Sequence, residues 1–333
     1  MKKIKYLLSL VVLIVGVGFL GACESASNND SNDASTTKST ETNEQTTDSD
    51  KLVRLGTMND EEGRIIGQMM LQILEDKGYQ VESTVGELAN NTSLMRTGIK
   101  EDPIDLSLDY TGRGLAFIDN PDVSKYQEDL ETAFQTTKEA DEKNGIIWLT
   151  YAPFNNTDSL AVSKEFSEQN NVKSLEDLAR YVNDGGDIKV GVEAGYEYYA
   201  TAETTLPGWQ KAYGFSIPEE NIVMGVNDAK TAVANNTDGI NVATTNATSG
   251  LIESLDLIRL EDPKHVSPIY SPAPIATPEI LEQYPELETL FNDLFASLDG
   301  ENMIHLNRLL EESGQSEEKI AKDYLTEKGL LSQ

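Results

Sequence analysis

The sequence predicts an α/β fold. Strand-like and helix-like patterns alternate along residues 51–333, the first of them run strand, turn, helix, strand, and glycines stop the early helical stretches. Strands joined through helices are parallel, because a crossover returns the chain to the same edge of the sheet.

The elements follow in order. Leu52–Leu55 reads as a short strand, followed by a turn with Gly56, Asn59 and Asp60. Ile65, Ile66, Met69, Met70, Ile73 and Leu74 recur at helical spacing, which predicts a helix to about Lys77, ended by Gly78. Residues 79–84 form the next strand. The turn after the first strand lies at its C-terminal end, where open α/β sheets bind ligands. An apolar strand pattern runs from Ile104 into Asp109 and meets Tyr110, Thr111 and Gly112, then Arg113. Residues 126–145 read as one helix closed by Gly145, and 146–154 as a strand. Ser174, with Asp177 three residues on, starts a helix over 174–184. Residues 188–194 are a strand, 229–236 a weak helix and 239–246 a strand; 277–298, 300–313 and 316–331 are helical in period. No internal repeat of fixed length is present.

The N-terminus has its own logic. Lys2, Lys3 and Lys5 precede an apolar run, Tyr6 to Leu20, that is short for a membrane span. Leu20-Gly21-Ala22-Cys23 has the form of a bacterial lipoprotein cleavage site, so residues 1–22 are expected to be a signal peptide and Cys23 a lipid attachment point. An uncut N-terminal anchor is the alternative. Cys23 is the only cysteine, which leaves no disulfide within the chain and no multi-thiolate metal site. From Glu24 to Asp50 there is no Leu, Ile, Val or aromatic residue, so residues 23–50 are expected to be a disordered tether.

Charge and missing motifs narrow the function. With 26 basic against 57 acidic residues the net charge is −31, which argues against nucleic acid and against lying flat on an anionic membrane. The two histidines, His265 and His305, sit in no HExxH or Cys–His grouping, and neither GxSxG nor a phosphate loop occurs. No cofactor or metal is expected. Carboxylates are abundant enough to hide a hydrolytic pair, so a secreted hydrolase stays open, but a binding protein fits the missing chemistry better.

Six segments, "LGTMNDEEGRIIGQMM", "IDLSLDYTGRGLAF", "APFNNTDSLAVS", "LPGWQKAYGF", "LEDPKHVSPIYSPAPI" and "YPELETLFNDL…LNRLL", carry a resemblance. Over Lys51 to Leu331 the chain resembles the substrate-binding proteins of glycine betaine, choline and carnitine ABC importers. The resemblance implies a two-lobed clamp of mixed sheets flanked by helices, like a periplasmic binding protein, with two crossovers. It places lobe 1 at 51–156 plus 247–333 and lobe 2 at 157–246. It also implies closure on a small solute and an ABC permease and ATPase as partners; with the N-terminal signal, the expectation is a monomer, lipid-anchored on the extracytoplasmic face of a Gram-positive-like cell membrane.

In that family tyrosines box a quaternary ammonium, and here the box is altered. Tyr110 matches a cage tyrosine. Arg113 stands where a small hydroxyl or an acid is usual, Asp158 where another cage tyrosine follows "NNT", and Leu206 where a tyrosine often precedes "PG". The tyrosine expected near Lys230 to Ala232 is missing, and Met58 replaces a lysine while Asn59 is retained. Tyr196, Tyr198, Tyr199 and Trp209 offer substitute rings in a loop that usually carries one wall. The expected ligand set is therefore Tyr110, Thr111, Arg113, Asp158, Asn59, Tyr196, Tyr198 and Trp209. Arg113 and Asp158 read either as a structural salt bridge between lobes or as partners for the anionic and cationic ends of a zwitterion. The function expected is capture of a quaternary ammonium or related zwitterion for import; a clamp-type sensor without transport is an alternative.

Overall fold

Two five-stranded sheets share one strand pattern. In the computed structural model, which describes residues 51–101, 103–119 and 121–332, the first sheet has the order β2-β1-β3-β10-β4 and the second β7-β6-β8-β5-β9. The first is built from β1 (Leu52–Met58), β2 (Gln80–Leu88), β3 (Leu106–Tyr110), β4 (Ile147–Trp148) and β10 (Pro272–Ala276). The second is built from β5 (Asp158–Ser163), β6 (Val190–Glu193), β7 (Ile222–Val226), β8 (Val242–Asn246) and β9 (Leu257–Arg259). The expected leader, Cys23 and tether lie outside the described residues.

The sheets are mixed for a topological reason. β1 pairs in parallel with β2 and β3, and β6 with β7 and β8, as crossover helices require. β10 pairs antiparallel with β3, beginning at Pro272 opposite Tyr110, and β5 pairs antiparallel with β8, beginning at Asp158 opposite Asn246. Both strands start where the parallel strands end. Each follows a segment that crosses between the sheets, and a chain arriving at the C-terminal ends of parallel strands must run against them. The same geometry gathers β1, β3, β6 and β8 ends around one cleft.

Each sheet has its own apolar core. Ile65, Ile66, Met69, Met70, Ile73 and Leu74, the periodic set read from sequence, pack on β1 and β3 from the helix Glu61–Asp76. Leu160, Val162, Val190, Val192, Val242 and Trp209 form part of the second core. Asp60 caps the first helix by accepting from Gly63 N at 2.7 Å. Gly63 has to be glycine, because a Cβ there would lie 2.4 Å from the Met58 carbonyl oxygen.

Several expected elements are different in the structure. Residues 126–145 hold two helices, Lys125–Glu128 and Leu130–Glu142, because Asp129 is extended and caps the second through Thr132 N. Residues 277–298 hold three, Pro278–Gln283, Leu287–Leu290 and Asn292–Ser297, with the break after Tyr284 set by Pro285. Of 146–154 only Ile147–Trp148 pairs as strand. The helices Thr92–Glu101, Lys164–Asn170 and Leu206–Tyr213 add to those read from sequence. Within the range 247–333 expected in lobe 1, β9 pairs with β5 and Leu260 packs in the second core, so the chain leaves the second sheet later than residue 246.

Candidate ligand-binding cleft

The cleft is built from strand ends and helix starts. From the first sheet's side, the turn after β1 supplies Asp60, Glu61 and Glu62, β3 ends on Tyr110, and the short helical turn Thr111–Phe117 carries Arg113. From the second, β5 opens with Asp158, β6 ends at Glu193, and the turn Glu197–Ala200 presents Tyr198 and Tyr199 beside Tyr196. Tyr270 joins from the segment just before β10, and Lys230 from the helix Ala229–Ala234. Together they enclose a cavity of about 60 Å³.

On the first side, charge is tied down internally. The Tyr110 hydroxyl donates to Glu62 at 2.5 Å, and Asn307 Nδ2 donates to the same carboxyl at 3.3 Å. Burial pushes the Glu62 carboxyl up to about 7, against the lowering effect of the hydrogen bonds from Thr248, Tyr110 and Asn307. The Arg113 guanidinium lies 4.5 Å from the Tyr110 ring centre and 3.5 Å from Asp60 Oδ2. Arg113 is thus a cation already seated over the tyrosine that the family resemblance makes a cage wall. Its ion-pair partner is Asp60, not Asp158, so the structural reading of an Arg113–Asp158 bridge does not hold.

On the second side, one carboxylate oxygen is left over. Asp158 is 5% exposed; its Oδ1 accepts from the Tyr198 hydroxyl at 2.7 Å, while Oδ2 has no hydrogen-bond partner. Burial pushes this carboxyl up from the ordinary range, offset by tyrosine hydroxyls and by Arg113. Tyr196, Tyr198 and Tyr199 form a row with ring centres 6.3 and 4.9 Å apart. Lys230, in the region where a cage tyrosine was missing, pairs with Glu193 at 2.7 Å. Glu311 also faces the cavity, and burial pushes it up to about 7.

The balance of this lining is acidic. Asp60, Glu61, Glu62, Asp158, Glu193 and Glu311 stand against Arg113 and Lys230. Partial protonation of Glu62 and Glu311 near neutral pH reduces the excess without cancelling it. Such a cavity, lined by tyrosines from both sides, is chemically suited to a positively charged, poorly hydrogen-bonding group.

Five of the eight expected ligand residues meet here: Tyr110, Arg113, Asp158, Tyr196 and Tyr198. Three do not. Thr111 is buried, its hydroxyl donating to Ile269 O at 2.7 Å and accepting from Ser271 N at 3.1 Å, so it ties the β3 end to β10. Asn59 is exposed outside the cavity. Trp209 is fully buried in the second core, 6.1 Å from the Tyr199 ring centre, and supports that ring from behind. Sequence reasoning missed Tyr270, Glu62 and Glu311. Tyr270 had a signal, since its "SPIYSPAPI" segment carried the resemblance; the two glutamates had none, since acids on polar helix faces look alike. Among the described residues, no group of His, Cys, Asp and Glu is arranged to hold a metal ion.

Similarity to known proteins points to one family. Residues 51–327 match the family model for the substrate binding domain of ABC-type glycine betaine transport systems. The chain is 35% identical over 282 residues to the glycine betaine-binding protein YehZ of Escherichia coli K12, covering 83% of this chain and 90% of that one. It is 28% identical to the ergothioneine transport permease/ergothioneine binding protein EgtU of Helicobacter pylori, over 84% of this chain and 48% of that protein. The solved structure of apo YehZ superposes with a TM-score of 0.63 at 33% identity, covering 84% of this chain and 99% of that one.

Proposed function

Because the chain belongs to the family of substrate-binding domains of ABC-type glycine betaine transport systems, we propose that it captures a quaternary ammonium or related zwitterionic solute outside the cytoplasm and delivers it to its permease while held to the membrane by lipid on Cys23. The family consists of solute-binding proteins of importers rather than enzymes, which leaves the hydrolase alternative without support.

The observation that carries the ligand class is Asp158: a buried carboxylate set among Tyr198, Tyr199 and Tyr270 in an acidic cavity. A quaternary ammonium has no N–H and is held by ring faces, each worth about 0.5–2 kcal/mol. Asp158 adds charge complementarity. Arg113 already lies over Tyr110, so the ligand cation belongs on the Tyr198–Tyr199–Tyr270 side. Arg113 remains the donor for a ligand carboxylate, with a charge-assisted bond.

Thermal shift and calorimetry against glycine betaine, choline, carnitine and free amino acids test this. A solute at a hundredfold excess over its dissociation constant stabilises the protein by about 2.7 kcal/mol. Stabilisation by amino acids alone, with no response to any quaternary ammonium, would sink the reading. Delivery is checked by uptake of the stabilising solute in cells with and without this chain; binding without uptake would favour a sensor. Cys23→Ala is expected to release the protein from membranes, and a variant that stays wholly membrane-bound would refute lipid anchoring.

A further inference from the structure

The turn that carries Arg113 is pinned by a buried ion cluster outside the cavity. Arg96, on the helix Thr92–Glu101, is 3% exposed, and Asp109 and Asp141 are fully buried. The Arg96 guanidinium donates from Nε to Asp109 Oδ2 and from Nη1 to Asp141 Oδ1, each at 2.9 Å. Asp109 Oδ1 accepts from Tyr110 N at 2.8 Å, just before the turn Thr111–Phe117 begins. The same guanidinium lies 4.4 Å from the ring centre of Phe117, where the turn ends. One side chain thus holds both ends of the turn, and Arg113 lies between them. Asp141 is fixed in its place by Trp148 Nε1, which donates to it at 2.8 Å. Gly114 lets the turn lie close to the helix Leu130–Glu142 that carries Asp141: a Cβ there would sit 2.7 Å from Thr137 Cγ2.

Stability does not account for this arrangement. Desolvating three charges offsets most of what their attraction returns, and apolar residues of similar volume would serve a core as well. What the cluster supplies is geometry. The planar fork of an arginine reaches two carboxylates at fixed angles while packing on a ring; a lysine ammonium is a point charge and does not. The cluster also supplies charge. Two carboxylates against one guanidinium leave an excess negative charge, and Arg113 is the other cation acting on Asp109. We infer that Arg96 is a positioning residue: through Asp109 and Phe117 it holds the turn so that the Arg113 guanidinium meets a ligand carboxylate. The inference rests on the reading of Arg113 as the carboxylate donor. It adds a residue that does not line the cavity but on which preference for a carboxylate-bearing solute depends.

Glycine betaine has a carboxylate and choline has none, so calorimetry with both on the purified protein tests this. Arg96→Lys keeps the charge but loses the fork. It is expected to lower the glycine betaine-to-choline affinity ratio at least about fivefold, while choline affinity moves less than about twofold. In an Arg113→Met background the same substitution is expected to leave the ratio within about twofold, because no guanidinium remains to be positioned. Equal weakening of both ligands, or the same fall in ratio without Arg113, would overturn the inference and leave Arg96 a core residue. Should Arg96→Lys fail to fold, Asp141→Asn removes the charge of one Arg96 partner, and the same ratio decides. An unchanged ratio in Arg113→Met alone would overturn the carboxylate reading of Arg113 and this inference with it. Binding of neither ligand by the wild type would overturn the quaternary-ammonium reading as well.

Discussion

Asp158 is where a single side chain sets the ligand's charge. Asp158→Asn keeps the shape and the Tyr198 contact but removes the charge, and is expected to weaken choline and glycine betaine at least tenfold by calorimetry. The pH dependence has a definite sign: burial raises this carboxyl, so acidification neutralises it earlier than an ordinary aspartate, and cation affinity falls with pH in the wild type but not in Asp158→Asn. Unchanged affinity in the variant would remove Asp158 from the ligand. Glu62 gives a second residue-scale test. Its folded value of about 7 exceeds the unfolded 4.5, so the folded state holds a proton the unfolded state has released, and stability falls as pH rises through that window. Relative to Glu62→Gln, the wild type is expected to lose on the order of 3 kcal/mol between pH 4.5 and pH 8 by urea titration; parallel pH profiles would refute a buried, proton-holding Glu62. Legibility at this scale was uneven. Tyr110, Arg113 and Asp158 were readable because a motif and its departures pointed at them. Glu62 sits in a helix's first turn, where an acid reads as a partner for the helix dipole. Trp209 was misplaced because neighbourhood in sequence says nothing about which face of the Leu206–Tyr213 helix points inward.

The elements that join the two sheets are held by polar side chains as well as by apolar packing. Asn155 Oδ1 accepts from Tyr270 N at 2.8 Å, and Asn156 N donates to Tyr270 O at 2.9 Å, which zips the outgoing crossing to the returning one. The Thr248 hydroxyl lies 2.5 Å from Glu62 Oε1 and 2.7 Å from Asn156 Oδ1. It has one proton to give, so a protonated Glu62 donating to it satisfies both contacts. Thr248→Val keeps the shape and strips these bonds, leaving two buried polar groups short of partners. Its expected cost is about 1–3 kcal/mol in chemical denaturation; a change within error would mean the network is idle. The fold was legible where period and burial coincide, as in Glu61–Asp76. It was hidden where strands are buried on both faces: Asp158–Ser163 and Pro272–Ala276 show almost no alternation of exposure, and Pro272 and Pro274 disguise the latter further.

At the scale of the whole molecule, closure is an electrostatic question. Asp60, Glu61, Glu62 and Glu311 face the cavity from the first sheet's domain, and Asp158 and Glu193 from the second's. Bringing the domains together without ligand concentrates like charge in a poorly hydrated space, with Arg113 and Lys230 as partial compensation. The cost shows in Glu311, which burial and then the neighbouring Glu61 and Glu193 hold up near 7 although Lys230 pulls the other way. A ligand cation cancels part of that excess, so differential affinity for the closed state comes from the charge itself. Small-angle scattering is therefore expected to show a smaller radius of gyration with a tight cationic solute. The ligand-free protein should also contract when salt is raised from low ionic strength, because screening weakens the same repulsion. Lys230→Met removes one compensating charge and should leave the ligand-free form more open than the wild type at low salt, with the difference closing at high salt. A stabilising ligand that produces no contraction at any ionic strength would rule out the clamp. Contraction with ligand but none with salt would keep the clamp and assign closure to contacts other than charge.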